Sequence, residues 1–144
     1  MMNELNTRLF ARLRGENLTV LVVRDEEEIY RSRKPGVGPL LEMYDRFPDG
    51  LEGATAVDRV VGGCAARVFV HLRVARVFGV VGSVAARSVL AAHDIPFEVE
   101  KGVLEIRNRN GTDTCPFEQL SRHFPDAETL VTAMRDRLAR MRAR

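Results

Sequence analysis

The segment VVGGCAARVFVHL at 60–72 constrains this chain more than any other. Wound into a helix, it is apolar on nearly every side. Such a helix cannot lie on a surface and has to be covered from both sides. The segments around it supply that cover. Residues 53–58 read as a short buried strand before it, and 76–81 (RVFGVV) as a strand after it. Gly82 and Ser83 break the second strand, and 84–93 continues as an Ala-rich helix. Residues 96–100 and 103–107 read as two strands around Lys101 and Gly102. Helix and strand patterns in alternation call for a layered α/β sandwich, with ligands at the carboxyl ends of the strands.

The flanks fit that frame. Residues 3–14 form an amphipathic helix, with Leu5, Leu9 and Leu13 four apart and Gly15 as its stop. Residues 18–23 and 28–32 read as the arms of a hairpin around a polar turn. Residues 34–39 are a Gly/Pro loop, and 40–47 have helical spacing before Pro48. Residues 108–114 form a polar loop, 116–123 a short helix, and Asp126 caps a last helix. No linker or repeat divides the chain. We read 1–16 as an N-terminal helical extension and 17–144 as one domain.

Composition excludes several functions. The formal charge is only +2, which argues against a dedicated nucleic-acid binder. Residues 132–144 hold five Arg and one Asp, but cations near a helix C-terminus are ordinary. No apolar run is long enough to span a bilayer, and no signal-peptide core opens the chain. Two cysteines, Cys64 and Cys115, are too few for a disulfide scaffold and suit a reducing cytoplasm. His71, His93 and His123 fall in no metal-ligand spacing, so no metal site is expected. The glycines at 36, 38, 79 and 82 match neither a P-loop nor a dinucleotide fingerprint, and no cofactor is expected.

Two strand-to-helix turns, at 57–59 and 81–83, frame the expected site. Asp58 reads as an N-cap or as a carboxylate at a pocket mouth, the cap being the more ordinary role. Arg59 beside it is placed to neutralise that charge or to bind an anion. Gly62 and Gly63 are costly inside a helix, which points to close packing or close approach of a ligand. Ser83 reads as an N-cap first and a ligand contact second. Cys115 stands at the N-cap of the 116–123 helix, with Pro116 in the first helical position and Glu118 in the third. A helix N-terminus favours thiolate, so Cys115 is either a nucleophile or a poor cap. Thr114 and Arg109, in the loop that leads to it, complete the candidate ligand contacts. Cys64 reads as core.

Several stretches together resemble the DUF1893 family, uncharacterised small proteins. They are LVVRD at 21–25, GVGPLL at 36–41, AVDRVVG at 56–62 with Ala65 and Ala66, NRNGT at 108–112, and CPFE at 115–118. Where relatives often carry Lys after the Asp, this chain has Arg59. The resemblance implies a cytidine-deaminase-like fold: a three-layer α/β/α sandwich around a mixed five-stranded sheet. Zinc deaminases open two central helices with His-x-Glu and Pro-Cys-x-x-Cys. Neither motif is present, so the implied fold does not bring zinc hydrolysis with it.

The expected function is therefore binding of a small polar, nucleotide-like ligand in the deaminase position, without zinc. Cys115 and Asp58 would carry any chemistry, as in a transferase or hydrolase. The ligand contacts would be Arg59, Gly62, Ser83, Arg109 and Thr114. The alternative is a non-catalytic ligand-binding or homodimeric regulatory module.

Overall fold

The computed structural model describes residues 4–108, 110–111 and 113–143. Arg109 lies outside them. Among the described residues six helices and five strands follow in order: α1 (Glu4–Gly15), β1 (Val20–Arg24), β2 (Glu27–Ser32), α2 (Gly38–Arg46), β3 (Thr55–Val61), α3 (Gly63–Leu72), β4 (Arg76–Ser83), α4 (Val84–Ala92), β5 (Phe97–Val103), α5 (Pro116–His123) and α6 (Ala127–Arg142). The strands form one mixed, open sheet in the order β2-β1-β3-β4-β5. β1 is antiparallel to both β2 and β3, while β3, β4 and β5 run parallel.

That order explains the layers. The chain steps through β3, β4 and β5 in one direction. Right-handed crossovers therefore place α3 and α4 on the same face. Val20, Val22, Ala56 and Val77 meet Ala65, Ala66, Phe69 and Leu72 there. The other face belongs to α1. Its Leu9, Phe10 and Leu13 bury against Leu21, Val23, Val57 and Phe78, the strand residues of opposite parity. The two faces thus read as period-2 alternation along each strand.

α3 is the covered helix that its sequence requires. Gly63, Cys64, Ala65, Ala66, Val68, Phe69 and Leu72 are all buried. α2, α4, α5 and α6 pack around it above the sheet. Arg67 turns outward and holds α5 in place, donating from Nε to Ser121 O at 3.2 Å and from Nη1 to Pro125 O at 2.9 Å. The arginine-rich face of α6 is largely exposed, and Arg135 pairs with Asp45. Among the described residues no helix is long and apolar enough to cross a membrane.

Three local expectations change. Strand β3 runs on to Val61, and α3 starts at Gly63 rather than at 60. The reason is the parallel ladder: Val60 pairs with Val81 and Val61 with Gly82, so these residues belong to the sheet. Asp58 is therefore a strand residue and not a helix cap; Gly62 takes the cap position. The expected strands at 96–100 and 103–107 are a single strand that ends at Val103. Lys101 and Gly102 make no turn because they pair in register with Val81 and Gly82. Beyond it, Arg107 forms only an isolated bridge to Thr114, closing the polar loop. The hairpin turn tightens to two residues, Asp25 and Glu26, both with left-handed φ (52° and 68°), the geometry that matches strand twist.

Candidate functional site

A cavity of about 430 Å³ opens where the carboxyl end of β3 meets the N-termini of α3 and α5. The antiparallel start of β1 and the loop before α2 close its sides. Val20, Val37, Leu40, Ile106 and Phe117 give it apolar walls. Asp58 from β3, Cys64 from α3, and Cys115 and Glu118 from the start of α5 bring carboxyl and thiol groups to its lining.

Asp58 faces the α3 side of the sheet, opposite Val20 on β1. Its Oδ1 accepts a hydrogen bond from Val60 N–H at 3.3 Å. Asp58 is half-buried and borders the cavity, so a small molecule can reach it. Burial pushes its pKa up to about 7, only partly offset by the main-chain N–H groups of Val60 and Arg59. Arg59 does not neutralise it. Strand parity turns the guanidinium to the α1 side, where Nε donates to Leu18 O at 2.6 Å. Arg59 still borders the cavity, but its charge is used to tie β3 to the segment after α1.

The two thiols differ. Cys64 Sγ donates to Phe117 O at 3.0 Å. Burial, followed by the nearby Glu118, pushes its pKa up to about 12. It therefore stays a protonated thiol, a poor nucleophile. Cys115 occupies the N-cap of α5, as its sequence position requires, but makes no side-chain capping bond. Cys115 is half-buried and borders the cavity.

Glu118 is the residue that sequence reasoning placed but misread. In the third position of α5 it fits a capping box, folding back onto the Cys115 N–H. That N–H is already donated to Ile106 O at 2.8 Å, so the box cannot close. The carboxylate reaches across instead, accepting from Gly63 N–H at 2.6 Å and from Ile106 N–H at 3.0 Å. It is only 3% exposed. The N-terminus of α3, which has no side-chain cap of its own, is thus capped from α5. The paired glycines make this possible. A Cβ at Gly63 would meet Ser121 Oγ at 2.0 Å, and one at Gly62 would meet Ile106 Cγ1 at 3.1 Å and Glu118 Oε1 at 3.2 Å. Close packing is the reason for both.

The remaining candidates scatter. Gly62 borders the cavity, whereas Ser83 and Thr114 do not. Ser83 caps α4, its Oγ accepting from Ala86 N–H at 3.1 Å. Thr114 is hydrogen-bonded to Glu105, which it and Arg122 hold below the usual carboxylate range. Among the described residues no three His, Cys, Asp or Glu side chains gather for a metal ion.

A sequence profile described as "TM1506: Domain of unknown function (DUF1893)" matches residues 8–138. The crystal structure of a DUF1893 family protein (TM1506) from Thermotoga maritima has the same fold. The TM-score is 0.84 at 23% sequence identity, over 95% of this chain and 92% of that one. No curated protein matches the sequence. With the profile spanning nearly the whole chain, this protein belongs to the DUF1893 family of domains of unknown function.

Proposed function

We propose that the cavity between β3, α3 and α5 binds a small molecule, and that Cys115 is the side chain that reacts with it. The observation that carries the reading is convergence: residues far apart in sequence, Asp58, Cys64, Cys115 and Glu118, border one apolar-walled cavity. Pockets of this kind, largely apolar with a few polar groups, are the usual form of a small-molecule site. The apolar walls shift the expected ligand from a polar one toward one with an apolar body and a polar head.

The mixed strand order, with α3 and α4 over its parallel part, fits a deaminase-like arrangement. In zinc deaminases the starts of two such helices hold the metal. Here they carry Gly63-Cys64 and Ser83-Val84. The donor set does not suit zinc. The Cys64 thiol is committed to Phe117 O and the Ser83 hydroxyl to Ala86 N–H. We therefore assign no zinc-activated water to the site.

The test is intact-protein mass spectrometry during alkylation by iodoacetamide near neutral pH, with Cys115→Ser and Cys64→Ser alongside. Cys115 is expected to be labelled first, roughly ten times faster or more, because Cys64 is protonated and buried. Equal or slower labelling at Cys115 removes its reactive role. The second reading, a non-catalytic binding module, draws on one observation: among the described residues no histidine lines the cavity to serve as base for the thiol. That reading predicts saturable binding that survives Cys115→Ser.

A further inference from the structure

We infer that this cavity selects a cationic ligand, a protonated amine on an apolar body, with Asp58 as its counter-ion. The inference rests on the small-molecule reading above and fixes the ligand's charge. Three observations carry it. The N-terminus of α3, one of the helix starts that border the cavity, is already occupied. Glu118, from the chain itself, already accepts the Gly63 and Ile106 N–H groups. A phosphate or carboxylate ligand would have to displace that buried carboxylate or sit beside it, against like charge.

Asp58 is the converse case. It borders the cavity with a long hydrogen bond, at 3.3 Å, from Val60 N–H and a weaker main-chain contribution from Arg59 N–H, both on its own strand. A half-buried carboxyl without a cationic partner is costly when ionised, and an ammonium group supplies what it lacks. The side chain next in sequence is not available, since Arg59 is turned to Leu18 O on the far face. Among the described residues Arg107 is the other cation at the cavity. It stands at the exposed rim, 3.5 Å from Glu105. Among the described residues the remaining ionisable groups that border the space are Glu118, Cys64 and Cys115. None of them brings positive charge.

The third observation is the set of apolar walls. They hold a ligand body by burial and lower the effective dielectric around the ion pair, which strengthens it.

The binding step has a proton balance. Below about pH 7 Asp58 holds its proton, as burial dictates. An ammonium ligand entering the cavity pairs with the carboxylate, and the Asp58 proton passes to buffer. Above that pH the carboxylate is already ionised and no proton is released.

Benzylamine, benzyl alcohol and benzoate are matched probes with one body and three charges. They would be titrated calorimetrically into the intact protein at pH 6 and pH 8.5, in two buffers of different ionisation enthalpy. Protection of Cys115 from iodoacetamide would report whether they enter this cavity. Benzylamine is expected to bind at least about tenfold more tightly than the other two. It should release a proton at pH 6 but not at pH 8.5, and lose the preference in Asp58→Asn. Should that variant fail to fold, buffer-dependent heat in the wild type still reads the proton. Equal binding of amine and alcohol overturns the charge selection and leaves the cavity reading standing. Benzoate binding best overturns it in sign. Failure of all three to bind or to protect Cys115 removes both the inference and the reading on which it rests.

Discussion

The turns from β3 into α3 and from β4 into α4 stand side by side, with Val61 paired to Gly82 across the ladder. They are built in opposite ways. The β4 turn closes itself: Ser83 caps the helix it begins, is 2% exposed, and stands outside the lining of this cavity. The β3 turn has glycine where a cap would be. It borrows a carboxylate from Glu118, 55 residues on. A turn that closes itself is complete with the local chain alone. A turn that borrows its cap has to leave room for the visiting element. At the β3 turn that room, held open by Gly62 and Gly63, adjoins the cavity.

The largest expected effect follows from removing the borrowed cap. Glu118→Ala leaves one buried and one part-buried main-chain N–H group without acceptors, the buried one worth about 1–3 kcal/mol and the other less. We expect a loss of about 3 kcal/mol, seen as a melting temperature lower by roughly 10 °C in circular dichroism. Glu118→Gln should lose less, because its amide oxygen can serve one of the two donors. Wild-type melting of Glu118→Ala would break the comparison, since the cap would then hold nothing.

Asp58 gives the next effect, and its sign is defined. In the unfolded chain it loses its proton near the ordinary value, about 4. In the folded chain it keeps it to about pH 7. Between those values the folded state carries the extra proton, so stability from this group falls as pH rises and then levels off. The carboxyls held low by partners, such as Glu28 and Glu42, act the other way and at lower pH. The difference between wild type and Asp58→Asn isolates the group. Urea titrations from pH 4 to 8 should show the variant gaining on the order of 2 kcal/mol relative to wild type across that window. Parallel curves would mean that Asp58 is well solvated, and the cavity would lose its uncompensated carboxyl.

What was legible in the sequence divides along the same line. The Ser83 cap, the Cys115–Pro116 start of α5 and the covered helix α3 are all written locally. Each rests on spacing within a few residues, and each stands in the structure. The end of β3 was not legible, because two apolar residues before paired glycines suit a helix start as well as a strand end. Only the ladder partners Val81 and Gly82 decide it. Glu118 carried a local signal, the capping-box spacing, but its alternative partners are tertiary. Nothing near residue 118 announces that Ile106 O already holds the Cys115 amide. The misplacement of Asp58 came from the same source, although the residue does border the cavity.

The smallest effect sharpens the contrast most. Ser83→Ala removes one local cap bond and should cost about 1 kcal/mol in urea denaturation. That loss is well under the one expected from Glu118→Ala, although both residues are buried helix caps on neighbouring turns. The difference is not only one bond against two. Glu118 also joins α5 and the segment before it to α3, so its removal loosens a wall of the cavity. Ser83 joins α4 only to itself. The alkylation rate of Cys115 should therefore change in Glu118→Ala and stay at the wild-type value in Ser83→Ala. A changed rate in Ser83→Ala would mean that the two turns move together. The self-closed turn would then be part of the site after all.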